Sequence, residues 1–459
     1  MSFRATIAQL SAVLKVTPLN QTATTLESIA AGLTTDTRAL QAGEVFLALR
    51  GETFDGHAFV SQAAAKGAIA AIVDERFLSN AQDATRQGLQ IPLLPVADTL
   101  QAYQAIGQWW RSQFTIPIIA ITGSVGKTTT KELIAAVLSL HGTVLKTQAN
   151  YNNEIGVPKT LLELGSEHDF AVIEMGMRAR GEIALLTQLA CPDIGVITNV
   201  GTAHIGRLGS ELAIAQAKCE LLATMPSTST AILNQDLSLL LETAATVWQG
   251  KTITYGLEGG DLHGQVLDLE TVVVDAWKFP LPLSGRHNAL NYLATLAVAK
   301  ALGLDWSPLE QGISIDLPSG RAKRYELPND VVLLDETYNA GLESMLAALQ
   351  LLAQTSGARR IAVLGTMKEL GDRSPEFHHR VGVAARELHL DRVLILAEPA
   401  EAKAMAAGAT PLASECFSSH EAVVDRLLML VQPGDRLLFK ASRAVGLDQV
   451  VQQFRDHQS

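Results

Sequence analysis

Cysteine is scarce. Cys191, Cys219 and Cys416 stand far apart in 459 residues, with no C-x-x-C pair and no neighbouring histidine cluster. A disulfide framework and a structural zinc site are both excluded on that spacing, and a reducing compartment fits. Long apolar runs are missing as well: nothing approaches the ~20 residues a spanning helix needs, and no basic region followed by an apolar stretch opens the chain, so a cytoplasmic protein without a membrane span is expected. Positive charge is in deficit. With 36 Lys+Arg against 47 Asp+Glu the net charge is −11, which argues against nucleic acid or anionic membranes as partners and requires any phosphate site to be built locally. Charged residues make up only 18% and hydrophobic residues 47%, the balance of a folded globular chain with full cores.

Such a local phosphate site is present. Ile118-Ile119-Ala120-Ile121-Thr122 runs into Gly123-Ser124-Val125-Gly126-Lys127-Thr128-Thr129-Thr130, the pattern of a buried strand, a glycine turn and a helix N-terminus. Gly123 and Gly126 leave backbone N–H groups free to turn toward an anion, and the helix opening at Lys127 adds unpaired donors and the positive end of its dipole. Lys127 can reach the β- and γ-phosphates of a nucleotide while the Thr128 hydroxyl ligates Mg²⁺. Position 121, where the general phosphate-loop pattern has its first glycine, is Ile.

Around this stretch the chain divides into three α/β units, residues 1–98, 99–318 and 319–459. The first is small, with strand-like runs at 44–49 and 68–73 and a helix at 58–66. A helical pattern at 98–114 leads into the second, where strands at 116–121, 143–147, 170–174, 194–198, 231–234 and 251–255 alternate with helix-length segments. That alternation predicts a mostly parallel, doubly wound sheet. A small β excursion comes next at 262–283, then a helix at 286–302. The cluster Asp316-Leu317-Pro318-Ser319-Gly320 marks a boundary. Strands at 331–334, 360–364, 392–397 and 436–440 make the third unit Rossmann-like.

Ligands in open parallel sheets gather beyond the carboxyl ends of the strands. Polar residues there are the candidates. Glu174 ends one strand and could ligate Mg²⁺ beside Thr128. The next strand enters Asn199-Val200-Gly201-Thr202-Ala203-His204, placing His204 on the same edge, where it is either a metal ligand or a satisfied structural histidine. Asn150-Tyr151-Asn152-Asn153 presents amides suited to phosphate or sugar oxygens, and also suited to a plain turn. The polar turns at 35–38 and 50–57 are either ligand loops or solvated ones.

These motifs, taken in order, resemble the Mur ligases. The resemblance rests on residues 122–129, Asn150 to Pro158, Glu174-Met175-Gly176, Thr198 to His204, Gly285-Arg286-His287-Asn288-Ala289-Leu290-Asn291 and Leu334-Asp335-Glu336-Thr337-Tyr338-Asn339-Ala340. It implies an ATP-dependent amide-forming enzyme of peptidoglycan synthesis. Within the family, Tyr338-Asn339-Ala340, the run Leu364 to Gly371, Asp36-Thr37-Arg38 and Asp55-Gly56-His57 look like the members that join D-alanyl-D-alanine to a UDP-N-acetylmuramoyl-tripeptide, and the Asp-Asn-Pro-Arg motif of the diaminopimelate-adding members is absent.

The resemblance further implies roles. Residues Gly123, Ser124, Val125, Gly126, Lys127, Thr128 and Thr129 would hold phosphate. Glu174, His204, Thr128 and a carbamylated Lys218 would hold two Mg²⁺ ions, and Asn288 and Asn291 would contact adenine. Asp335 would meet the ribose or phosphates, with either Arg321 or Arg324 assisting. Thr37, Arg38, Asp55, His57, Asn152 and Asn153 would bind the UDP-linked substrate, and Tyr338, Asn339, Lys440, Ser442 and Arg443 the dipeptide. A monomer is expected. Gly341-Leu342 and the Ala441 of Lys440-Ala441-Ser442-Arg443 depart from the family's usual residues, both in the dipeptide-receiving unit. A folylpolyglutamate-type ligase and a non-ligating ATP-hydrolysing regulator remain alternatives; the ~100 residues ahead of the phosphate loop weigh against the first.

Overall fold

The computed structural model describes residues 3–51, 54–79 and 89–458. Among them the chain forms an α/β protein around three larger sheets. The leading sheet has four parallel strands, in the order Leu33–Thr34, Val45–Leu47, Ala70–Asp74 and Leu93–Val96. Helix Thr99–Arg111 joins it to the central sheet. Asp98 caps that helix, its carboxylate accepting the N–H groups of Leu100 and Gln101. One side of the helix, Ala102, Tyr103 and Ile106, is buried in the leading core with Phe3, Ile7 and Leu10. Its far end is bolted to the central unit. Arg111 donates to the carbonyls of Phe114, Ala190 and Cys191 at 2.7, 2.8 and 3.1 Å, and the Trp110 indole donates to Leu164 O at 3.0 Å.

The central sheet has nine strands, ordered Trp277–Pro280, Thr271–Val274, Leu262–Asp268, Lys251–Gly256, Thr230–Asn234, Ile194–Ile197, Ile118–Thr122, Phe170–Glu174 and Val144–Lys146. Its antiparallel part is confined to the excursion at 262–280. Strands covered on both faces are apolar over most of their length: Ile118 to Ile121 are apolar and all five residues of Ile118–Thr122 are buried. Helices Lys127–Leu138 and Arg286–Ala301 cover one face through Leu133, Ile134, Val137, Leu293 and Leu296. The other face carries Gly156–Leu162, Glu182–Ala190 and Glu211–Thr224, packed through Leu161, Leu186 and Leu221. Each such side chain contributes about 1.5–3 kcal/mol by leaving water.

The strand Ile118–Thr122 lies where the winding reverses, since the two strands that come after it in sequence go to one side and later strands to the other. A crevice opens at such a switch point. The third sheet closes over it. There Lys323–Leu327 runs antiparallel to Val331–Glu336, which is joined in parallel by Arg436–Lys440, Arg360–Gly365, Arg392–Leu396 and Ser414–Cys416. The apolar cluster under the central sheet continues into this unit through Leu342, Met345, Met367 and Leu370. No described helix is long and apolar enough to cross a membrane.

Candidate active site at the phosphate loop

Gly126 stands immediately before helix Lys127–Leu138 at φ +80°, a conformation that favours glycine, and a Cβ there would meet Asn291 Oδ1 at 2.7 Å. The loop is braced by the next parallel strand. Asn199 accepts the Val125 N–H at 2.9 Å and donates to Val125 O at 3.0 Å, while Thr198 Oγ1 donates to the same carbonyl at 2.7 Å. Ser124 Oγ accepts the Gly201 N–H at 2.9 Å. From the opposite face, Thr130 Oγ1 donates to Asn291 Oδ1 at 3.2 Å, and Asn291 donates to Asn288 Oδ1 at 3.3 Å. Asn291 therefore reaches the phosphate loop's own helix, and Asn288 supports Asn291 while its own amide donates to Ser284 O.

Lys127 curls back over the loop, its ammonium donating to Gly123 O at 2.7 Å and reaching Ser124 O at 3.5 Å. Burial pulls its pKa below the usual lysine value, the Glu174 carboxylate opposes that, and the Arg321 charge adds to it. Thr128 is buried beside it. Glu174 is 3% exposed; its Oε1 accepts from Asn152 at 2.8 Å, whereas its Oε2 is buried with no hydrogen-bond partner. An orphaned carboxylate oxygen in such a place is a costly arrangement that suits a cation. Thr147 supports the strand end, accepting the Glu174 N–H at 3.0 Å while its carbonyl accepts from Lys131 at 2.7 Å.

His204 sits at φ +66° with Nδ1 2.5 Å from Glu369 Oε2 of the third unit. Desolvation lowers its pKa first; Glu369 resists, and the Lys127 and Lys218 charges reinforce the shift. Lys218 lies in helix Glu211–Thr224, which Ser210 caps by accepting the Ala213 N–H. It is 1% exposed, and no described carboxylate is within ion-pair distance of it. Burial, then the Lys127 charge, pushes its pKa well below the ordinary lysine value. Among the described residues no three His, Cys, Asp or Glu side chains converge as a ready-made metal site.

Asn288, Arg324 and Asp335 line one cavity of ≈ 360 Å³ between the central and third units, with Leu283 and Leu351 as apolar walls. Burial raises the Asp335 pKa, opposed by hydrogen bonds from the Thr337 hydroxyl and N–H. The two arginines part company here. Arg324 faces this cavity, while Arg321 stacks over the Tyr338 ring, 3.9 Å from its centroid, with a buried Nε lacking a partner. The Arg443 guanidinium lies 5.9 Å from the centroid of the same ring and pairs with Asp448 at 3.0 Å. Lys440 donates to Asn339 O at 3.0 Å, and Ser442 accepts the Lys368 N–H at 3.0 Å.

In the leading unit, Arg38 forks onto Asp36, Thr37 donates to Gln62 at 3.1 Å, and His57 stands between Asp55 Oδ1 at 2.5 Å and the Asp74 N–H at 2.8 Å. Glu52 and Thr53 of that turn lie outside the described residues. Asn153 Oδ1 accepts the Gly156 N–H at 2.9 Å, starting the helix that carries Lys159, whose charge reaches Asp36. Thr37, Arg38, Asp55 and His57 thus hold their own turns, and they do not join the group around Lys127. Thr198, Asn199, Thr147 and Glu369 join the site without having been given a role from sequence; the first three could be found by asking which polar residue comes after each parallel strand.

Residues 30–108 match the Mur ligase family catalytic domain, 121–299 the Mur ligase middle domain, and 320–443 the Mur ligase glutamate ligase domain. The chain belongs to the Mur ligase family. It is similar to the UDP-N-acetylmuramoyl-tripeptide–D-alanyl-D-alanine ligase of Synechocystis, 62% identical over 91% of this chain and 90% of that one, and to the ligase of the same name from Escherichia coli, 36% identical over 93% and 94%. A crystal structure of MurF from Acinetobacter baumannii covers 99% of both chains at 32% identity with a TM-score of 0.89. MurF ligase from Thermotoga maritima in complex with ADP covers 93% of this chain and 97% of its own at 29% identity, with a TM-score of 0.80.

The buried, unpaired Lys218 gives a pH-dependent stability. Its folded pKa lies below its unfolded one, so between the two the unfolded chain binds more protons and stability rises with pH. Lys218→Met in bicarbonate-free buffer is expected to melt higher than wild type at pH 7, with the gap closing toward pH ~10. Thermal melts at both pH values check this; a gap that is absent or equal at the two would contradict it.

Proposed function

We propose that this chain joins D-alanyl-D-alanine to UDP-N-acetylmuramoyl-tripeptide at the expense of ATP, in peptidoglycan precursor synthesis. The observation that carries the reading is the 62% identity, over nine-tenths of both chains, to a ligase of that name. In the reaction the tripeptide's terminal carboxylate attacks the γ-phosphorus of ATP, releasing ADP and forming an acyl phosphate. The amine of the dipeptide then displaces inorganic phosphate and loses a proton as the amide forms. The difficulty is bringing two anions together. Lys127, swung from Gly123 O onto the β- and γ-phosphates, the N–H groups opening helix Lys127–Leu138 and the unpartnered Arg321 Nε would offset that repulsion.

Adenine would sit against Asn288 in the cavity that Arg324 and Asp335 also line, with Asp335 and Arg324 toward the ribose. Asn291, the other residue read as an adenine contact, is outside that lining and bonded to Thr130 and Asn288, so it would act by holding Asn288. Thr128, Glu174, His204 and Lys218 are the residues that would hold Mg²⁺, two ions in this reading, and the orphaned Glu174 Oε2 fits that assignment. When bound, Mg²⁺ supplies further charge neutralisation between nucleotide and carboxylate. Lys218 would serve as a carbamate: its depressed pKa favours the neutral amine that adds CO₂, and the product is an anionic oxygen donor in place of a cation. Thr37, Arg38, Asp55, His57, Asn152 and Asn153 would face the UDP-linked substrate, and Tyr338, Asn339, Lys440, Ser442 and Arg443 the dipeptide. The leading unit would then bind nucleotide-sugar, the central one ATP, and the third the amine.

Phosphate release by the purified chain is expected to require both UDP-N-acetylmuramoyl-tripeptide and D-alanyl-D-alanine with ATP. Lys127→Ala should abolish it with little change in melting temperature. Release independent of the dipeptide, or activity of Lys127→Ala within a few-fold of wild type, would sink the reading. For the carbamate, ¹³C-bicarbonate should label Lys218 in active protein and Lys218→Ala should regain partial activity with added short-chain carboxylate; full activity with an unlabelled Lys218 would refute it.

A further inference from the structure

The loop Gly365 to Gly371 of the third unit meets the loop Gly201 to Arg207 of the central one at unusually close range. A Cβ on Gly206 would lie 2.6 Å from Gly371 N and 3.0 Å from Glu369 O. The Gly206 N–H donates to Glu369 O at 3.2 Å, and Arg207 is 3.7 Å from Glu369 Oε1. Thr202 donates to Glu343 of the third unit through both its N–H, at 2.7 Å, and its hydroxyl, at 3.2 Å. At the centre of this contact Glu369 and His204 are both non-glycine residues at positive φ, +65° and +66°. Such conformations are strained for residues with a Cβ and persist where the surroundings over-determine them. Between them Glu369 Oε2 stands 2.5 Å from the buried His204 Nδ1, at ion-pair distance but off the line of the ring N–H, so that Nδ1 has no aligned hydrogen-bond partner and Glu369 is the one carboxylate beside it among the described residues.

A histidine that ligates a cation through one ring nitrogen usually gives the N–H of the other to a carboxylate, which fixes tautomer and ring orientation. With Nδ1 turned to Glu369, Nε2 is the nitrogen left to offer a lone pair. We propose that Glu369 is the positioning residue of His204, so that a carboxylate of the third unit orients a cation ligand of the central unit. This rests on the reading of His204 as a ligand for the divalent ion. It has a mechanical consequence: the cation site has its full donor geometry only while the two units are docked, so cation binding and docking favour each other.

The test uses the full chain, ¹⁵N-labelled at histidine, and Mn²⁺ with ADP as the probe. In wild type, side-chain NMR should find His204, assigned with His204→Ala, as the Nδ1–H tautomer. Glu369→Ala should lose that preference and weaken Mn²⁺ binding by about 10–100-fold, and the isosteric Glu369→Gln, which keeps an acceptor, should fall between the two. If His204→Ala weakens Mn²⁺ binding and neither Glu369 variant does, the positioning role is wrong and the ligand reading stands. If His204→Ala binds Mn²⁺ like wild type, the ligand reading fails and takes the inference with it. An Nε2–H tautomer in wild type overturns the proposal without any variant.

Discussion

The hydrogen bonds that tie the phosphate loop to the neighbouring strand's end are the constraint on which the rest of the site depends. Val125 has both its N–H and its carbonyl committed to Asn199, with Thr198 sharing the carbonyl. This holds the residue before Gly126 from both sides of its peptide, in front of helix Lys127–Leu138. The loop is therefore shaped before any anion arrives, and binding need not order it, which is how a modest number of donors becomes effective. The same loop, 198–207, continues to His204 and then to the contacts with Glu343 and Glu369. One segment thus joins the phosphate loop, a candidate cation ligand and the third unit.

A chain of net charge −11 nevertheless carries the half-buried Lys127 and the buried Lys218 and Lys440, all with depressed pKa values and each with desolvation as the leading cause. Arg321 adds to the shifts of both Lys127 and Lys440. Repulsion from Lys127 acts on Lys218, which has no carboxylate partner, and opposes folding, whereas Lys440 is offset by Glu336 at 3.7 Å. The arrangement makes sense for a site whose substrates are polyanions.

Much of this was legible from the residues. The apolar strands of the central sheet, the β excursion read at 262–283 and found at 262–280, the helix after Asp98 and the phosphate loop emerge from period, length and local chemistry, and six ordered motifs carried the family. Short or polar strands were not legible. Leu93–Val96 contains Pro95 and lies at a sheet edge, where a missing N–H is tolerated, and Lys323–Leu327 is an edge strand with three charged residues in five. Leu33–Thr34 and Ser414–Cys416 are too short to establish a period. Arg321 and Arg324 could not be separated by spacing, because the turn before Lys323 sends one to Tyr338 and the other to the cavity. Glu369 was invisible for a related reason: its partner lies 165 positions away in another unit, and nothing local to either residue announces the pairing.

In the proposed reaction the crevice brings a carboxylate onto the γ-phosphorus before the amine arrives. The most direct measurement tracks oxygen. UDP-N-acetylmuramoyl-tripeptide labelled with ¹⁸O in its terminal carboxylate is turned over with ATP and D-alanyl-D-alanine, and the released inorganic phosphate is read by ³¹P NMR. An acyl phosphate requires one carboxylate oxygen to leave with the phosphate, so each turnover of fully labelled substrate should yield phosphate carrying a single ¹⁸O. Phosphate that carries none, with the amide still formed, would contradict the account.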